Sequence, residues 1–223
     1  MICAILYFEV EYNFVVFDRL HSFYPEGGMI SDDEGLREEY ISREEIFKGK
    51  ILHVVRDTVR LPDGKPATRE FCLHVGGVAV LPLLPDGRVI VERQFRYPLG
   101  RVTVEIPAGK LNYAGEDREE AARRELSEET GAIAGRLTYI GDIVTSPALI
   151  NEVISIYLAE EITLGERHPD DDEFLDIMTV PFDALFSEVM HGEIQDAKTV
   201  AATLKVGAIL DERKNKRHSF FGG

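Results

Sequence analysis

Basic residues are scarce in this 223-residue chain: 25 lysines and arginines stand against 40 aspartates and glutamates, a formal net charge of −15. A nucleic-acid surface needs clustered Lys and Arg to neutralise phosphates, so this balance argues against one, and an anionic substrate would need a bridging cation. Cysteine is nearly absent. Cys3 and Cys72 cannot build a disulfide framework and lack metal-site spacing, which fits a reducing cytoplasm. A membrane span is missing too. The apolar opening "MICAILYFEVEYNFVVFDRL" is interrupted by Glu9, Glu11 and Asn13 and has no basic residue before Arg19, so it reads as neither signal peptide nor span.

What is present is an ordinary globular composition, 44% hydrophobic and 29% charged, enough for one well-buried domain with a small appendage. From Met29 the character turns polar in "MISDDEGLREEYISREEIFKGKIL", which resembles the natural start of a small soluble enzyme, so residues 1–28 read as an extension or a loosely packed addition, the alternative being an extra edge strand. "KILHVVRDTVRL" and "ATREFCLHV" read as a strand pair around the turn "PDGK". This places a β-rich segment at 29–75, a main domain at 76–212 and a frayed tail at 213–223. Beyond the Gly76-Gly77 pair, "VAVLPLL", "RVIVERQFRYP" and "VTVEIPA" are further strands. A helix follows over Arg118–Thr130, with Asp117 as its N-cap and Gly131 past its end. Strands return at "LTYIGDIVT", "VISIYLAEEI" and "FLDIMTV", then helices near Phe182–His191 and Asp196–Leu210. Without a regular βαβ alternation, the order predicts an α+β or α/β chain with a mixed sheet and helices on its faces.

The first of these helices carries "RRELSEETGA". At about 100° per residue, Glu125 and Glu129 lie about 40° apart and Glu128 falls beside them, so three carboxylates share one helix edge. Like charges at this spacing repel. Hard divalent cations take oxygen ligands, one or two carboxylates plus substrate phosphate and water, and one here would relieve that repulsion and attract a pyrophosphate. Arg124 is placed to hold Glu128, and a bend at Gly109 can aim the Ala108 carbonyl at the same cation. The bland reading of the same residues is a solvated acidic helix face.

The wider pattern resembles the Nudix hydrolase box, whose form is G, five residues, E, seven residues, R-E-U-x-E-E-x-G-U, with U a bulky aliphatic. Glu116 is followed after seven residues by Arg124-Glu125-Leu126-Ser127-Glu128-Glu129-Thr130-Gly131-Ala132. Two positions depart: six residues separate Gly109 from Glu116, and the last U is the small Ala132. The resemblance covers about residues 40–210. It implies a Nudix fold, an α/β/α sandwich around a mixed sheet with an N-terminal antiparallel β subregion. It also implies Mg²⁺-dependent, or Mn²⁺-dependent, hydrolysis of a nucleoside diphosphate linked to another moiety. By motif position, Glu125, Glu129 and the Ala108 carbonyl are implied metal ligands, Glu128 assists metal binding or orients water, and Arg124 positions a glutamate.

Outside the box the chain resembles the ADP-ribose pyrophosphatase branch. "ERQFRYPLG" is similar to the segment whose arginine, here Arg96, contacts substrate, and "VEIPAGKL" to the lead into the box, with Glu105 near the metals and in the substrate-binding set. Pro147 lies 16 residues after Gly131, where a proline marks this branch, although Ala148 replaces the usual following glycine. In "HPDDDEFLDIMTVP" the branch places a loop glutamate, here Glu173, as a late metal ligand or the base for the attacking water, with Asp171 and Asp172 in reserve. The implied products are AMP and ribose 5-phosphate, and the implied assembly is a cytoplasmic homodimer whose N-terminal strands help form the partner's adenine pocket. The alternatives are another Nudix activity on sugar nucleotides, NADH or dinucleoside polyphosphates, a catalytically silent ADP-ribose-binding module, and a plain acidic interaction protein.

Overall fold

The Asp63-Gly64 turn closes the first hairpin, with Gly64 at φ 85°, a region glycine enters without a Cβ clash. Its N–H donates to Leu61 O and the Leu61 N–H to Lys65 O, both at 2.8 Å. The computed structural model describes residues 35–167 and 174–221. The stretch 1–28, with the extension read there, and the loop acids Asp171, Asp172 and Glu173 lie outside the described residues.

The chain divides into two compact units, one ending at Leu73 and one beginning at His74. In the first, β1 (Glu39–Lys48), β2 (His53–Arg60) and β3 (Pro66–Cys72) form an antiparallel sheet in that order. The polar segment that gave no strand signal supplies β1. Nearly all of its residues are exposed, so it lacks the apolar alternation of a half-buried strand. Charge pairing between directly opposed residues ties it down instead: Arg43 meets Asp57 at 2.7 Å and Arg56 meets Glu44 at 2.6 Å.

The second unit contains β4 (Gly77–Pro82), β5 (Arg88–Arg96), β6 (Arg101–Glu105), β7 (Ala108–Lys110), α1 (Arg118–Thr130), β8 (Ala132–Val144), β9 (Val153–Leu164), β10 (Asp176–Pro181), α2 (Phe182–His191) and α3 (Ala197–Phe221). A four-stranded sheet runs β7-β4-β9-β8, with β4 and β9 parallel and the other pairs antiparallel; β10-β5-β6 form an antiparallel sheet. Successive residues of one strand serve two cores, as a period of two requires. Ala79, Leu81, Ile156 and Leu158 pack with Phe182, Leu185 and Val206 of α2 and α3, whereas Val78, Val80, Tyr157 and Ala159 pack with Ala122 and Leu126 of α1. Helices thus cover both faces of a mixed sheet, the expected Nudix sandwich. Among the described residues no helix is long and apolar enough to cross a membrane.

Local chemistry sets the bounds of α1. The Asp117 carboxylate accepts from the backbone N–H groups of Glu119 and Glu120, both at 2.9 Å. Gly131 ends the helix at φ 71°, and a Cβ there would stand 2.6 Å from Gly165 O. The last helix is longer than its sequence signal and continues from 213 to 221, with Arg213 pairing to Glu160 at 2.8 Å.

Candidate active site

The box acids gather around one guanidinium. Arg124 Nη1 donates to Glu125 Oε1 at 2.8 Å and to Glu128 Oε2 at 3.1 Å, and its Nη2 reaches Glu116 Oε1 at 3.5 Å. Glu116 also accepts from the Asn112 N–H at 2.6 Å, which folds the loop before α1 onto its own acid. The extra residue of the 109–116 spacing is housed in this loop, where Gly115 takes φ 89°. The helix edge is not uniformly exposed: the Glu128 side chain is 43% exposed, that of Glu125 13%, and Glu129 only 4%. Glu129 is therefore a buried residue, and its Oε2 accepts from the Ala108 N–H at 3.0 Å.

That bond depends on strand register. Val80 N–H donates to Pro107 O and Leu111 N–H to Gly76 O, on either side of the Ala79–Ala108 pairing. Bonded and unbonded pairs alternate in an antiparallel ladder, so Ala108 occupies an unbonded pair and turns both its N–H and its C=O away from β4. β7 is a sheet edge, which frees that side for the acids of α1. The carboxylate of Glu125 lies against Gly109, where any Cβ would collide with it. A glycine is needed here for room, not for its dihedral freedom.

Beside this cluster lies a pocket of about 610 Å³ whose lining includes Arg96, Glu105, Ala108, Gly109, Lys110 and Lys198. Its wall holds a second acid in a different state. Arg96 grips Glu105 through Nε and Nη2, both at 2.7 Å, Thr103 Oγ1 donates to Oε1 at 2.6 Å, and Lys198 Nζ donates to Oε2. Burial pushes the Glu105 carboxyl up, but Arg96, Lys198 and Thr103 outweigh it and hold the group at about 2. With four donors on its two oxygens, Glu105 has its lone pairs engaged within the protein and fixes the orientation of Arg96. At the rim, His74 Nδ1 stands 3.3 Å from Glu152 and accepts from the Gly76 N–H; burial holds its imidazole below the usual range.

The structure thus brings Arg124, Glu125, Glu128, Glu129 and Ala108 into one cluster and pairs Arg96 with Glu105 in the adjoining wall; Ala108 and Gly109 belong to both. Pro147 opens an exposed turn in which the Leu149 and Ile150 N–H groups donate to Ser146 O. Sequence reasoning missed Lys198, Thr103 and His74. Lys198 lies 93 residues from Glu105, and no local pattern announces such a pair.

The donors of the first cluster are carboxylate oxygens plus an outward carbonyl, the set a hard cation prefers. Among the described residues no three His, Cys, Asp or Glu side chains converge tightly enough to hold a metal ion as they stand. Arg124 is the cation they share, and its buried Nε has no acceptor.

A NUDIX domain model matches residues 73–202, and a model of the nucleoside diphosphate sugar hydrolase N-terminal domain matches residues 38–71. The chain belongs to the Nudix family. It is 44% identical to an ADP-ribose pyrophosphatase of Bacillus subtilis over 171 residues, 76% of this chain and 92% of the relative. It is 36% identical over 167 residues to a methanol dehydrogenase activator of Bacillus methanolicus, covering 74% and 90%. An ADP-ribose pyrophosphatase of Mycobacterium tuberculosis is 34% identical over 174 residues, covering 77% and 84%. A crystal structure of an ADP compounds hydrolase shares the fold, with a TM-score of 0.70 at 20% identity over 79% of this chain and 96% of that one.

Proposed function

We propose that the chain hydrolyses the pyrophosphate bond of ADP-ribose, or of a closely related nucleoside diphosphate sugar, to AMP and ribose 5-phosphate. The observation that carries the chemistry is the set of carboxylates around Arg124, packed against the outward edge of Ala108 and Gly109, which also line the pocket. The choice of substrate is supported by the two relatives named ADP-ribose pyrophosphatase.

Glu125, Glu129 and the Ala108 carbonyl would hold Mg²⁺, or Mn²⁺, and the oxygen-only donor set and the close approach of the Glu125 carboxylate that Gly109 permits fit such an ion. When bound, it supplies positive charge against the pyrophosphate oxygens. The chain's own residues do the rest. Arg124 fixes Glu125 and Glu128, Glu128 orients the attacking water, and Arg96 binds a phosphate through the Nη1 that Glu105 leaves unused. Glu173 takes the proton from the water as its oxygen joins phosphorus and the bridging P–O bond breaks.

We further propose a cytoplasmic homodimer in which residues 29–75 form the dimerisation segment and residues 76–212 the catalytic domain. Exposed Tyr40, Ile41, Ile46 and Phe47 on β1 support that role, as does the match of residues 38–71 to a nucleoside diphosphate sugar hydrolase N-terminal domain. A monomer by light scattering at micromolar concentration, with full activity, would reject the dimer.

The central test is a panel of nucleoside diphosphate derivatives with Mg²⁺ or with chelator, products identified by chromatography. Mg²⁺-stimulated release of AMP and ribose 5-phosphate from ADP-ribose is expected; stronger turnover of NADH or a dinucleoside polyphosphate would replace the substrate. Within the same panel Glu173→Gln is expected to lower kcat by about 10²-fold, in the range of general-base loss. If Glu173→Gln, Asp171→Asn and Asp172→Asn all keep near-normal kcat, the base lies elsewhere.

A further inference from the structure

Lysine is almost never buried unless it is paired, because an ammonium taken from water needs compensation. Lys198 is 8% exposed, and it sits in the wall of the substrate pocket, not in a packing seam between apolar residues. Its Nζ has two acceptors: Glu105 Oε2, and Asp196 Oδ1 at 3.1 Å. Asp196 is itself fixed, since its Oδ2 caps α3 by accepting from the Thr199 N–H at 3.0 Å and the Thr199 hydroxyl at 2.6 Å. Thr199 Oγ1 in turn accepts from the Ile106 N–H at 2.9 Å. The first turn of α3 therefore grasps two neighbours at the end of β6, Ile106 by its backbone and Glu105 by its side chain.

We propose that Lys198 is a positioning residue for substrate binding: by holding Glu105 from behind, it fixes the Arg96 guanidinium in the pose that meets a phosphate of the substrate. The proposal rests on the reading of this pocket as the site of a nucleoside diphosphate sugar. Glu105 orients Arg96 only if its carboxylate plane is itself fixed. Thr103 holds Oε1, whereas Oε2 has Lys198 as its one donor besides Arg96. Without Lys198 the carboxylate can rotate about its Thr103 contact and carry the bidentate pair with it. The Thr199 clip to Ile106 does not involve the Lys198 side chain, so the attachment of α3 to β6 survives the substitution.

A lysine that merely neutralises a buried acid would lower stability without selecting among kinetic parameters. The test uses the full chain with Mg²⁺ and ADP-ribose, comparing Lys198→Met, Lys198→Arg, Glu105→Gln and the double variant Lys198→Met/Glu105→Gln. Lys198→Met is expected to raise KM by about 10-fold while kcat changes by less than about 3-fold, the mark of lost ground-state binding. Lys198→Arg should recover part of that KM. In the Glu105→Gln background, Lys198→Met should add nothing further to KM, because its effect runs through Glu105. The Arg96 Nε–H resonance, assigned by its loss in Arg96→Lys, should exchange faster with solvent in Lys198→Met. Additive KM effects, an equal fall in kcat, or an unchanged Arg96 resonance would overturn the proposal. If the wild-type chain fails to hydrolyse ADP-ribose, the functional reading falls, and the Arg96 resonance alone still decides the role of Lys198.

Discussion

Two groups of acids flank β7, and they are held in opposite ways. In the pocket wall a single carboxylate, Glu105, has four donors from three side chains. On the helix side, Glu116, Glu125 and Glu128 share the single guanidinium of Arg124. The first arrangement is saturated, so it can only orient something else. In the second, three carboxylates meet one guanidinium, and an excess of negative charge of this kind favours a cation. Carboxylates of one chemical type thus differ in what they are placed to do: Glu105 orients Arg96, whereas the acids around Arg124 present oxygens of the kind a cation takes.

The largest expected effect strikes Glu129, which follows Glu128 on the same helix and reaches β7 at Ala108. Glu129→Gln keeps an oxygen to accept from Ala108 but removes a charge, so kcat should fall by about 10²-fold or more with the unfolding temperature nearly unchanged. Activity and thermal unfolding measured on one sample check this, and wild-type rates would remove Glu129 from the ligand set. The saturated group is tested by acid. Because the folded pKa of Glu105, about 2, lies below its ordinary 4.5, its stabilisation is present above pH 4.5 and is lost as pH falls through the folded value. Urea unfolding at stepped pH should show the wild type losing more stability between about pH 4.5 and 2 than Glu105→Gln does. A parallel loss in both would mean that Glu105 is not the group responsible. The smallest effect sharpens the contrast: Arg124→Gln removes the shared cation and should cost about 1 kcal/mol without metal, the scale of a partly exposed pair. Added Mg²⁺ should return more stability to this variant than to the wild type, and equal gains would count against competition for the same acids.

Local signals were legible, distant ones were not. Helix α1 and α2 were readable to their ends because Asp117, Gly131 and the flanking residues act within a few positions. The box residues that meet in the helix cluster were readable for the same reason, since one helical edge collects them. β1 was not, because its order comes from charges on β2 and not from its own pattern. Lys198 carries no signal in "QDAKTV"; its meaning lies in Glu105, on another element. The burial of Glu129 was also hidden, because helical geometry gives an angle around the axis but not the position of the edge strand that covers it. The final helix outran its apolar signal, since Arg213 has an acid partner on β9 that only folding supplies.

The register at Ala108 has a consequence for how this sequence can vary. Strand geometry counts residues in twos, so inserting or deleting one residue between Ile106 and Gly109 would exchange inward and outward groups, turning the Ala108 N–H and C=O toward β4 and away from Glu129. The segment from Leu111 to Asp117 is a loop, and a loop has no such parity. An added residue there is absorbed by a turn, as the longer spacing between Gly109 and Glu116 is absorbed around Gly115. Length changes should therefore be tolerated after Lys110 and be fatal to the site before it. A one-residue insertion on either side of β7 would place that divide.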